Sequence, residues 1–149
     1  MSASSPTLAG YIDFLRNTAG IGADVLPDNS PIILQSYQVA SENVYQGIAS
    51  LGVVTYSLAV YNYATDYLIS WAIDTPPSEF FTVLRSRYGL NRSSGGLTTS
   101  AGDQGTSGGV QISESLRGLN VAELQQLKTP FGRAYLAIAM PFAAVWGVS

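Results

Sequence analysis

One hundred and forty-nine residues, 46% of them hydrophobic and only 11% charged, with a formal net charge of −3, make one domain. Neither cysteine nor histidine is present, which excludes disulfides, zinc–thiolate centres, cysteine nucleophiles and any Ser–His–Asp triad. An ordinary soluble domain carries about 25% charged residues. The polar share here is made up by Ser, Thr, Gly, Asn, Gln and Tyr, and so low a charge implies a surface partly covered by something else.

Ser5-Pro6 reads as an N-cap with proline at the first helical position. Leu8, Tyr11, Ile12 and Leu15 then share one helical face, and Gly20 and Gly22 end the helix. The same punctuation returns at Ser30-Pro31. Ile33, Tyr37, Ala40, Val44, Ile48 and Leu51 follow as one stripe, predicting a helix of five turns closed or kinked at Gly52. Val53–Ile73 alternates locally like a strand, but Tyr56, Val60, Tyr63, Tyr67 and Trp71 keep helical spacing, so a helix is expected. Its tyrosines suit core and interface packing. Asp74-Thr75-Pro76-Pro77-Ser78 breaks the chain, with Ser78 expected to cap a short helix carrying Phe80, Phe81, Leu84 and Tyr88 and ending at Gly89.

Residues 93–112 hold six glycines, four serines and three threonines, with Asp103 as the one charge. Such a stretch predicts an extended arm or a β-hairpin turning within Gly102–Gly109. Asn120 with Glu123 has the layout of a capping box for a short helix ending near Lys128. Thr129-Pro130 starts the last helix, with Phe131, Tyr135, Ile138 and Phe142 on it and Pro141 expected to kink or end it. The fold class is therefore mainly α, a bundle of about five helices with one Gly/Ser/Thr-rich insertion.

Asn43–Thr65 is uncharged for 23 residues, long enough to span a bilayer. Its Asn, Gln, Ser and Thr content and the absence of flanking cations favour a buried core helix. Met1–Gly10 has no positive n-region and no apolar core, so no secretory signal is expected there. The ten acids are scattered singly, and neither a phosphate-binding glycine loop nor a dinucleotide fingerprint occurs. Asp24, Asp28 and Asn29 share a loop that a hard cation could use, though turn chemistry accounts for them. No cofactor is implied, and an enzyme is the weakest reading. Arg85, Arg87 and Arg92 form the one local basic patch, suited to an acidic partner surface or, as well, to a solvated helix face and loop, and less to a nucleic acid backbone. Arg133 stands alone on an apolar helix, placed to cap carbonyls or to bridge to another chain.

The order of these features, and above all Leu127-Lys128-Thr129-Pro130-Phe131-Gly132-Arg133-Ala134-Tyr135-Leu136, resembles the head–tail connector (adaptor, or neck) proteins of tailed bacteriophages. Ala59-Val60-Tyr61-Asn62-Tyr63-Ala64 is similar to the central helix of that family, and Leu97-Thr98-Thr99-Ser100-Ala101-Gly102-Asp103 to its insertion. The apolar end, Pro141–Ser149, departs from the polar tail expected. The resemblance implies a virion protein made in the host cytoplasm. It implies a homo-oligomeric ring, commonly of twelve copies, beneath the portal and above the tail or next connector, through which DNA passes without sequence readout. Arg85, Arg87, Arg92, Gly102, Asp103, Arg133 and Trp146 are then candidate partner contacts, with the arginines expected to face protein and not the lumen, and Trp146 an anchor for a partner pocket. Other neck or minor capsid proteins, and a small membrane-associated helical protein, are the alternatives.

Overall fold

The computed structural model describes residues 5–90 and 126–145. Among these, five α-helices and one 3-10 helix are present and no strand. They run α1 (Leu8–Asn17), α2 (Pro31–Asn43), the 3-10 helix (Gln46–Leu51), α3 (Val53–Trp71), α4 (Phe80–Tyr88) and α5 (Pro130–Val145). The expected helical bundle is therefore what this chain forms. The predicted arm at 93–112, the capping box at 120–123 and Trp146 lie outside the described residues.

α3 is the axis. Ala59, Val60, Ala64, Thr65, Leu68 and Ile69 are fully buried on it, and they occupy every side of the helix, because α2 packs on one flank and α5 on another. Both neighbours run antiparallel to it. Gln35 on the second turn of α2 donates to Tyr67 near the end of α3 (2.9 Å), while Thr129 at the start of α5 meets Asp66 and Tyr135 meets Tyr63. α1 lies across this layer through aromatic rings: Tyr11 stacks with Tyr37 and Tyr61 at 6.1 and 6.0 Å, and Phe14 packs against Tyr61 and Phe131. Fully burying one such ring stabilises the fold by about 1.5–3 kcal/mol.

Three local expectations are corrected. The cap of α1 is Thr7, not Ser5. The Thr7 hydroxyl accepts from the Gly10 amide (2.9 Å), and two tyrosines hold the chain extended before it, Tyr37 donating to the Pro6 carbonyl and Tyr61 accepting from the Thr7 amide. The five-turn helix after Pro31 is divided. Val44 is extended, and a 3-10 turn replaces the last two turns. Ser41 and Asn43 each bond back to the carbonyl four residues earlier, as Asn62, Thr65 and Ser70 do within α3. Gly47 leaves room for the Tyr45 ring to lie against its backbone, in space a Cβ would occupy. The third correction concerns the start of α4. Ser78 reaches only the Phe80 amide, at 3.3 Å, whereas Asp74 accepts from the Phe81 and Thr82 amides at 2.7 and 2.9 Å and from the Thr82 hydroxyl at 2.7 Å.

Asp74 has a counterpart. Arg85 on α4 donates to the Ile69 and Ala72 carbonyls at the end of α3, at 3.1 and 2.6 Å. A carboxylate thus sits on the amino end of α4 and a guanidinium on the carboxyl end of α3, each complementing a helix dipole. Gly89, at φ 72°, closes α4 in the left-handed conformation. Its carbonyl accepts from Lys128 (3.3 Å), which brings the chain leaving α4 beside the chain entering α5. α5 passes through Pro141 to Val145 without ending.

Candidate interaction surface

The middle of α3 is covered on all sides, but each end leaves large apolar side chains exposed. At the amino end Leu51, Val53, Val54 and Leu58 are exposed, Val54 by 59%. At the carboxyl end Trp71 is 66% and Ile73 87% exposed. A side chain of that size left in water forgoes about 1.5–3 kcal/mol of burial, and grouped apolar exposure marks contact surfaces more often than scattered exposure does.

The carboxyl-end patch is concave. A groove of about 480 Å³ runs between the loop after α1 (Val25, Leu26, Pro27), the start of α2 and the end of α3, where Tyr67 and Trp71 form its aromatic wall. Those two rings stand 6.4 Å apart at 44°. No charged side chain lines the groove. The loop beneath it is held by Arg16, which donates to the Ile21 and Leu26 carbonyls at 2.8 and 2.7 Å and pairs with Asp28. Asp28 is thereby engaged by a cation of the protein itself. No group of three His, Cys, Asp or Glu able to hold a metal occurs among the described residues.

The predicted partner residues are placed as follows. Arg85 points into the fold, on the carbonyls at the end of α3, while Arg87 is exposed. Two residues apart on a helix, they cannot face the same way. Arg133 is exposed and donates to the Leu127 carbonyl (2.9 Å), the capping option of the two expected for it. Arg92, Gly102, Asp103 and Trp146 lie outside the described residues. The groove itself was not foreseen. Its signal was present in Trp71 and Ile73, two large apolar residues at the very end of a stripe, just before the break at Asp74-Thr75-Pro76-Pro77.

The spacing of Thr129, Pro130 and Gly132 has an internal purpose in this chain. Thr129 is fully buried; its hydroxyl donates to Asp66 on α3 (2.5 Å) and accepts from the Gly132 amide (2.8 Å). Pro130 occupies the first helical position, where no amide is needed. Gly132 packs directly on the Gln126 carbonyl, leaving no space for a Cβ. Asp66 is 9% exposed, and burial pushes its carboxyl up to about 6 despite the opposing bond from Thr129. Asp74 moves the other way. Desolvation, the largest single effect, raises it, but the Thr82 hydroxyl, the Phe81 and Thr82 amides and Arg85 together outweigh that and hold it below the ordinary carboxylate value.

No helix among the described residues is long and apolar enough to cross a membrane. Comparison of the chain with protein-family models, characterised proteins and solved structures finds no match.

Proposed function

We propose that this chain is a structural subunit of a tailed-phage neck, forming a ring that joins the portal to the tail and extends the DNA channel. The observation that carries the proposal is the pair of bare apolar patches at the two ends of α3, on a chain with so few charges. A ring subunit needs two different side faces, one against each neighbour, whereas a free monomer gains nothing from either. The resemblance around Thr129–Leu136 supplies the neck as the place, and the virion as the location. In this reading the work is passive: the subunit holds a pore open and matches two surfaces, and no residue acts on DNA sequence. Arg87 faces protein, since a channel lined with cations would retain the DNA it must pass.

Light scattering of the purified chain, alone and with the portal, tests this. A closed multimer, or a complex with the portal in fixed stoichiometry, is the expected result. A chain that stays monomeric and ignores the portal would overturn the neck assignment.

A further inference from the structure

We propose that Asp66 is a proton-operated latch for the last helix: while its carboxyl is protonated α5 is fastened to α3, and loss of that proton lets α5 lift away while α1 and α2 stay in place. The device works within one chain, whatever assembly that chain joins. Its parts lie in a row. The nearly covered Asp66 carboxyl accepts from the Thr129 hydroxyl, and Thr129 accepts from the Gly132 amide in the first turn of α5. Gly132 rests on the Gln126 carbonyl, which ties the entry to α5 into the same row. Among the described residues no cation pairs with Asp66; the ion pair there is Arg16–Asp28. The charged and titratable groups of the neighbouring elements face elsewhere. Asp13 on α1, Glu42 on α2, Tyr45 before the 3-10 turn, and Glu79 and Arg87 at the ends of α4 are exposed. Tyr11 and Tyr37 meet Ser36 and Pro6, Arg85 holds the Ile69 and Ala72 carbonyls, and Lys128 and Arg133 hold those of Gly89 and Leu127. Tyr135 lies edge-on to Tyr63, the phenol that the Asp66 charge reaches. Burial therefore opposes the charge, while the Thr129 hydroxyl and the positive end of α5 favour it. Burial prevails and lifts the carboxyl to about 6. Once α5 lifts, water reaches the carboxyl and its hold on a proton falls toward the ordinary value, so opening becomes easier as pH rises and levels off above 6.

Native-state amide exchange of the full chain in low urea, between pH 4 and pH 7, reads this opening once the intrinsic exchange rate at each pH is divided out. The α5 amides are expected to open by a process that urea promotes less than it promotes exchange in α2. Their opening constant is expected to rise up to about 100-fold across that range. In Asp66→Asn it should stay level. In Thr129→Val, which removes a bond that favours the anion, the rise should extend to higher pH, and Thr129→Ser should restore the wild-type curve. A merely structural role for Thr129 would lower protection equally at every pH. Equal opening constants and equal urea dependence in α5 and α2 would mean that α5 leaves only when the whole domain unfolds, and would overturn the latch. So would a rise that persists in Asp66→Asn, or an α5 that opens less readily at pH 7 than at pH 4, the mark of a helix end that outweighs burial.

Discussion

On one side of α3 a buried tyrosine meets a serine; on the other a buried aspartate meets a threonine. Tyr11 and Ser36 share a hydrogen bond of 3.1 Å, and Ser36 also donates to the Ile33 carbonyl. Asp66 and Thr129 are 2.5 Å apart. Both contacts are buried, both join two helices, and both fix which residue faces which. They differ in what pH does to them. Burial drives the Tyr11 hydroxyl far above its ordinary range, so it stays neutral wherever the protein is folded. Burial lifts Asp66 only to about 6, so its proton is lost within the working range of most proteins. The α1–α2 contact is thus indifferent to pH, and the contact that fastens α5 is not.

The strongest way to break this comparison is through the core common to both sides. Leu68→Ala, at a fully buried position, should cost about 2–5 kcal/mol and lower the urea midpoint of the whole domain. Two separate transitions would show that the flanks of α3 unfold independently. Asp66→Asn sharpens the comparison. The carboxyl titrates at 3.8 when unfolded and near 6 when folded, so the native state holds the extra proton between those values. Its favourable contribution is complete below pH 4 and is lost as pH rises through 6, up to about 3 kcal/mol in all. Asparagine keeps an oxygen for Thr129 and never ionises. The variant should therefore match the wild type near pH 4 and exceed it at pH 7. Parallel stability–pH curves for the two would place the titration elsewhere. Because Asp74 is pulled in the opposite direction, the difference between the curves, not either curve alone, is the quantity to read.

Gly132→Ala attacks the same contact from the backbone. The new methyl meets the Gln126 carbonyl, and a cost of about 1–3 kcal/mol is expected, with amide exchange accelerated in α5 before α2. Equal acceleration in both helices would contradict the local origin. Smallest is Tyr11→Phe. Ser36 retains the Ile33 carbonyl, so about 1 kcal/mol or less is lost, by the same amount at pH 5 and pH 8. A pH-dependent loss would mean that Tyr11 titrates after all.

The helices were legible because their periodicity and punctuation are local. Pro31 and Gly89 mark boundaries that the structure keeps, and the tyrosine spacing of 56–71 correctly outweighed the strand-like alternation of 54–60. Asp74 illustrates what was not legible. Its side chain reaches amides seven and eight residues away across a turn, a geometry no cap rule at fixed spacing contains. The break at Val44 likewise follows no local rule, since the side-chain bonds of Ser41 and Asn43 to the carbonyl four residues back have counterparts within the unbroken α3. Arg85, part of a basic patch on paper, is drawn inward by carbonyls that only the fold places beside it. The positions of the exposed apolar patches were not legible, because they depended on which parts of α3 its neighbours leave uncovered.

The meeting of Lys128 with the Gly89 carbonyl also makes this protein a natural host for grafts. Gly89 and Lys128, on either side of residues 91–125, are linked by that hydrogen bond. A reporter peptide or a binding module could be inserted at the same port, displayed once per subunit and repeated around any assembly the subunit forms.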